Sequence, residues 1–379
     1  MIQAPKTASQ KEPAKGFKTP LLAPTHFYNP NKKTSNSMRL KSTSLTLAAA
    51  AVLAALPLAN AQNVTATTDP VGFVTATVPV GISPLAVTLL NPDLLKTTAT
   101  SVSSNSVALS GQTNVGSLLS AGEPYYIEVY SGSLKGDRFD VDTAATISAA
   151  NGFVTLNATS TSNTYDVNSI ASLLNNATVA LRKHVTIEQL QSTASAQLYG
   201  NNSNALADQI QVYNNSDNTY TAYFLRGDGT TWRKVGTTIS ANKTPISPGT
   251  GVFIDKKSSS VTFTMTGSVR NNDFALPWKA GLQLVAPGFP IDTTPAGVGG
   301  TAANGWVGNN SNALADQIQV YNSATTAYDA YFLRGDGVTW RKVGTTTVVT
   351  SLPVATASQS FFVQKTTANS DNVFTNPLQ

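Results

Sequence analysis

Residues 201–238 read NNSNALADQIQVYNNSDNTYTAYFLRGDGTTWRKVGTT, and residues 309–346 read NNSNALADQIQVYNSATTAYDAYFLRGDGVTWRKVGTT. The two stretches align without a gap at an offset of 108, with 31 of 38 positions identical. A period of that size signifies repeated small domains or half-domains rather than a short-repeat solenoid. Inside each copy the pattern is that of strands. Ile210 and Val212 alternate with polar neighbours and point inward. Residues 223–226 (YFLR), a Gly-Asp-Gly link and residues 230–235 form a hairpin signal, a glycine-bearing turn between aromatic and β-branched runs. Alternation then sets Tyr223 and Leu225 on one face and Phe224 and Arg226 on the other.

Working outward, a weaker echo follows each copy: residues 248–256 (PGTGVFIDK) after the first and 358–365 (SQSFFVQK) after the second. Residues 121–129 (AGEPYYIEV) have the same shape and suggest a third, diverged unit over about 62–170. Residues 258–269 read as another strand. Helical signals are short: 166–175, a capping box opening at Thr186 and running toward 198, and one turn at 91–96. The tail, 366–379, reads as loose. The fold class expected is mainly all-β: repeated β-sandwich-like or barrel-like units with a few short helices. The expected division is a 1–37 extension, mis-annotated or disordered, a signal peptide at 38–61, an N-terminal β domain at 62–178, and repeat-bearing β units at 179–282 and 283–379.

Composition agrees with strands. Apolar residues make up 41% and charged ones 12%, about half the usual charged share, with Thr, Ser and Asn in their place. The net charge of +5 is a property of the N-terminus. Eight of the 25 basic residues and one of the 20 acidic ones fall in 1–61, leaving 17 against 19 beyond it. Nucleic-acid binding on grounds of charge is therefore not expected. Arg39 and Lys41 precede an apolar run at 45–58 and the small-residue site Ala59-Asn60-Ala61, the order of an export signal. The run is shorter than the roughly 20 residues needed to span a bilayer. Cleavage there leaves a mature chain from Gln62 with no transmembrane segment. Cysteine is absent, so disulfides, thiolate chemistry and a cysteine-linked lipid anchor are excluded.

After the cleavage site come Asp69-Pro70-Val71-Gly72-Phe73, then residues 124–132 (PYYIEVYSG), then 181–187 (LRKHVTI), the tryptophan hairpin and the Pro-Gly-x-Gly-x-Phe-Ile element. This series resembles a family of exported bacterial β-rich proteins of unknown function. The resemblance covers most of 69–365. It implies export and a β-rich body, and it brings no activity or catalytic residues.

Groups able to carry chemistry are sparse. His184 is the one histidine beyond the export signal, and it reads as a surface or strand-edge residue. A lone histidine offers no two- or three-histidine zinc set. Asp137, Asp140 and Asp142 read as a solvated strand face, with a weak calcium site as the alternative. Glu123 and Glu128 read as rim charges. Arg-Gly-Asp stands at both hairpin tips, 226–228 and 334–336, where Gly-Asp-Gly also makes the turn. The aromatic sets are the better lead: Tyr223, Trp232 and Arg233 recur as Tyr331, Trp340 and Arg341. On an outer face they would stack on sugar rings and bond hydroxyls; on an inner face they are core. No catalytic residue, metal or cofactor is expected. The expected function is that of an exported, non-enzymatic structural or interaction protein of the cell surface or periplasm. Its partners would be cell-wall or extracellular polysaccharide or other surface proteins. A carbohydrate-binding protein and a carboxylate-based hydrolase are the alternatives. Burial of Trp232 and Trp340 decides whether the sugar platform exists.

Overall fold

The first repeat folds into strands where its alternation places them. In the computed structural model, which describes residues 70–215, 217–349, 355–369 and 372–378, Gln209–Asn214 (β10), Thr219–Leu225 (β11) and Trp232–Lys234 (β12) form an antiparallel meander. The expected extension at 1–37, the export signal at 38–61 and Asp69 lie outside the described residues. Val252–Lys256 (β14) pairs with the other edge of β10, and Gly81–Leu85 (β2) pairs with β14. The result is a five-stranded sheet in the order β12-β11-β10-β14-β2.

The second repeat forms a five-stranded sheet of the same order. Gly281–Val285 (β17), Phe361–Lys365 (β21), Gln317–Asn322 (β18), Ala327–Leu333 (β19) and Trp340–Lys342 (β20) succeed one another across it. Registers agree pair by pair: Ile210 faces Tyr223 as Ile318 faces Tyr331, and Lys256 faces Gly81 as Lys365 faces Gly281. The agreement continues where the sequences have diverged. Val71–Val78 (β1) and Val261–Ser268 (β15) form a ribbon with Val74 opposite Met265. Phe274–Ala275 (β16) and Val373–Phe374 (β22) form its counterpart with Phe274 opposite Phe374. Thus part of the tail expected to be loose is strand, held by Phe374 against Phe274 and Trp278.

Strands 1 and 2 lie within the expected N-terminal domain, yet they hydrogen-bond to strands of the expected second domain, because their alternating apolar residues complete its core. Val74, Val78 and Leu85 pack with Ile210, Leu225, Trp232 and Phe263. Between β2 and β10 the chain builds a separate six-stranded sheet. Its strands are Asp93–Ser103 (β3), Ser106–Leu109 (β4), Tyr125–Val129 (β5), Arg138–Asp140 (β6), Phe153–Thr155 (β7) and Thr178–Lys183 (β8), in the order β6-β5-β8-β3-β4-β7. Its core gathers Val107, Ile127, Phe139, Val154, Ile170 and Leu181. A short ladder of Val185–Thr186 (β9) with Pro245–Ile246 (β13) follows.

Strand residues make up 39% and helical ones 10%, so the fold is mainly β. Three α-helices occur among the described residues. Thr143–Ala149 (α1) is capped by Asp142 and went unread in the sequence. Ala171–Leu174 (α2) follows a 3-10 turn capped by Asp166. Ile187–Ser192 (α3) is capped by Thr186 as expected, but stops six residues early. The turn expected at 91–96 is instead the start of β3, whose β-branched run outweighs the Leu-Leu-Lys at its head.

Candidate functional site

The repeated aromatic sets sit as follows. Trp232 and Trp340 are 0% and 1% exposed, each opposite a leucine, Leu225 or Leu333, on the inner face of its sheet. Their indole nitrogens donate inward, Trp232 to Gln191 Oε1 at 2.6 Å and Trp340 to the Gly300 carbonyl at 2.7 Å. These two indoles are core and offer no face to a sugar, which corrects the platform reading for them. Tyr223 and Tyr331 share that inner face, half-buried, while Arg233 and Arg341 are half-buried on the opposite one. In the second twin the indole stack is extended by Trp306 (5.4 Å from Trp340) and Trp278 (5.5 Å from Trp306), both edge-on.

The outer faces of the twin sheets meet. Tyr213, Phe253, Leu284 and Phe362 form a shared cluster, with Phe253 and Phe362 at equivalent positions and their rings 6.0 Å apart. Backbone bonds across this contact are reciprocal: Ala86 N donates to Ser358 O (2.8 Å), and Ala286 N donates to Gly249 O (3.0 Å). Both partners of one bond are the equivalents of the partners of the other. The contact therefore has local two-fold symmetry, the geometry of an isologous interface within one chain. A methyl at Gly251 would stand 2.5 Å from the Cβ of Ser360, its own equivalent, so glycine is required there. Tyr220 and Tyr328, 47% and 39% exposed, flank this contact, edge-on or tilted to Phe253 and Phe362.

Each twin also contains a buried ion pair. The Asp208 carboxylate binds the Lys256 ammonium and accepts from Tyr199 N (2.7 Å) and Lys257 N (2.8 Å). The Asp316 carboxylate binds Lys365 and accepts from Val307 N (2.8 Å) and Thr366 N (2.6 Å). All four charged side chains are almost wholly removed from solvent. Burial depresses the Lys365 pKa against the pull of Asp316.

A denser charged junction joins the six-stranded sheet to the segment leading into β16. Glu128 was expected at a rim and is fully buried, between Arg182 (Nε–Oε2 3.3 Å) and Arg270. Every residue of β5 is buried, so a carboxylate in the run Tyr-Tyr-Ile-Glu-Val requires buried cations. That lone acid in an apolar strand was the available signal. Arg270 carried none. The ring of Phe274 lies under both Arg138 (4.3 Å) and Arg270 (4.6 Å). Burial lowers both guanidinium pKa values to about 10. Arg138 donates to Ala275 O (2.9 Å), Ala275 N donates to Gly136 O (3.1 Å), and Lys135 pairs with Asp273 (3.0 Å).

His184, expected at a surface or edge, is buried because its ring packs on Tyr126 (4.5 Å) and its Nε2 meets Asp140 Oδ1 at 3.0 Å. Burial acts to raise the Asp140 pKa; His184, the Ser160 hydroxyl and Arg138 outweigh it and hold the group below its ordinary value. Ser160 Oγ donates to Asp140 Oδ2 (2.6 Å), so the serine sits on the carboxylate rather than on the imidazole that would activate it. The three aspartates do not converge: Asp137 is buried, Asp140 holds His184, and Asp142 caps α1. Among the described residues no group of three acidic, histidine or cysteine side chains stands ready for a metal ion. At the hairpin tips, Asp228 Oδ1 accepts from Thr230 N and Thr231 N, both at 2.8 Å, and Asp336 Oδ1 from Val338 N and Thr339 N. The Thr339 hydroxyl, together with the Thr339 and Val338 amides, holds the Asp336 pKa down at about 2, and the Thr231 and Thr230 amides hold the Asp228 pKa well below its ordinary value. Both Arg-Gly-Asp carboxylates are thus engaged in their own turns.

No family model, no curated protein and no solved structure matches the chain. No helix among the described residues is long and apolar enough to cross a membrane.

Proposed function

We propose that this chain is an exported, non-enzymatic structural or interaction protein of the cell surface or periplasm, built by duplication of one β module with a second sheet inserted into the first copy. The carrying observation is how the residues able to do chemistry are used. The repeated tryptophans are core, the repeated Asp–Lys pairs are internal struts, and Glu128 is held between Arg182 and Arg270 at a buried junction. What the twins leave outward is mostly uncharged and hydroxyl-rich. Export is supported by the order of charges, apolar run and small residues before Gln62.

A carbohydrate-binding role is the second reading, and Tyr220 and Tyr328 favour it. They are the exposed aromatics nearest the two-fold contact, and a tyrosine face there suits a sugar ring. Cell fractionation combined with pull-down on a panel of cell-wall and extracellular polysaccharides tests both readings. Retention on one polysaccharide that is lost in Tyr220→Ala/Tyr328→Ala, with the fold intact, selects the second reading. Capture of surface protein with no polysaccharide retained selects the first. A wholly cytoplasmic protein contradicts both.

A further inference from the structure

The two edge ribbons of the twins differ in one respect. In β16 the outward backbone groups of Ala275 are both used: its N–H donates to Gly136 O, and its carbonyl accepts from Arg138. Gly136 approaches so closely that a Cβ there would lie 2.8 Å from Ala275 N. The register makes Thr75 in β1 the equivalent of Ala275. Pro70 O accepts from Val269 N, so the even-numbered residues of β1 face β15 and Val71, Phe73, Thr75 and Thr77 turn their N–H and C=O groups outward. Among the described residues nothing bonds to those groups.

This is an unusual edge. Neither Val71–Val78 nor its partner Val261–Ser268 contains a charged residue or a proline. Edge strands are ordinarily protected by a lysine, a proline, a bulge or a covering loop. Here the register with β15 runs unbroken, and Val71 and Phe73 are 76% and 72% exposed.

We infer that β1 is an assembly edge and that its occupant is β1 of a second copy of this chain. This rests on the reading of the protein as an interaction protein and names its partner. The strand is self-complementary about a two-fold axis at Val74. Val71 then pairs with Thr77 of the other copy and Phe73 with Thr75, so every outward N–H and C=O of both strands is satisfied. Aromatic and β-branched side chains fall opposite one another, a favourable cross-strand combination. With no charge on either strand, identical edges meet without repulsion, whereas a charged partner would find nothing to pair with. The product is a continuous four-stranded sheet, β15-β1-β1-β15, made by strand addition.

Light scattering of the full chain against concentration, combined with amide hydrogen exchange, tests the assignment. The expected result is a dimer in which the amides of Phe73, Thr75 and Thr77 exchange slowly and become fast on dilution, while those of Val74 and Ala76 stay slow throughout. Thr75→Pro removes an outward N–H and no inward bond. Phe73→Lys places a charge on the edge without touching the backbone. Each is expected to halve the mass while leaving the circular dichroism unchanged. A monomer at every concentration overturns the assignment, as does a dimer whose edge amides exchange freely or one that survives both substitutions. A monomer that still captures a surface protein or polysaccharide sinks the β1 edge alone; capture of nothing by a confirmed dimer sinks the wider reading alone.

Discussion

Asp208 and Asp316 show how the twins use charge. Each carboxylate is enclosed by one ammonium and two backbone N–H groups at the seam where β14 or β21 ends. Removing one partner of such a pair strands the other charge in a low-dielectric site. Asp208→Ala is expected to cost about 3–5 kcal/mol, with Asp316→Ala similar. Asp208→Ala/Lys256→Met should recover most of that loss, because no charge is left unpaired. Urea denaturation measures both. Asp140 gives a pH signature. Its pKa in the fold lies below its ordinary value. Its contribution is therefore complete above about pH 4, the unfolded carboxylate range, and is lost as pH falls through the depressed folded value. Asp140→Asn should flatten the acid limb of the stability profile. An acid limb identical to that of the parent chain would show that Asp140 is not the group responsible.

Elements were legible where local chemistry and tertiary context agree. The Gly-Asp-Gly hairpin announced β11 and β12, and β15 was readable from Thr and Val alternation. Helix α1 was not, because Thr-Ala-Ala-Thr-Ile-Ser-Ala has no apolar stripe; its stability comes from the Asp142 cap (Ala145 N to Oδ1, 2.9 Å) and from packing. Strand β22 was hidden because two residues carry no periodicity, and only pairing with β16 makes them a strand. The charged junction was illegible for a related reason. Glu128 and Arg270 are far apart in sequence, and the polar run Arg270-Asn271-Asn272-Asp273 looks like a loop. At that junction Gly136 has φ +93 and no room for a side chain. Gly136→Val should break the Ala275–Gly136 bond and destabilise by more than about 1 kcal/mol. Hydrogen exchange is expected to quicken at Ala275 before it changes in β10 or β18. Unaltered exchange at Ala275 would count against the junction as drawn.

At the scale of the molecule, two five-stranded sheets with the same order and register pack outer face to outer face, and a six-stranded sheet interrupts the first. The 38-residue identity announced the twins from sequence. Their full extent was hidden, since β1–β2 and β16–β17 keep little in common beyond Gly81 with Gly281, and the register of the sheets is what makes Ala86 the equivalent of Ala286. A sheet face tolerates wide apolar exchange while its hydrogen-bond register does not. The same lack of identity explains why residues 71–85 read as the head of a separate domain. The two-fold contact also accounts for glycine at 251 and for exposed tyrosines beside it. The most direct test is a double-mutant cycle on the full chain with Phe253→Ala and Phe362→Ala, followed by equilibrium denaturation. Each single change is expected to cost about 3–5 kcal/mol, and the pair should fall short of additivity by about 0.5–1.5 kcal/mol, the size of an aromatic contact. Additivity within about 0.3 kcal/mol would mean that the two rings do not meet, and would contradict the twin arrangement.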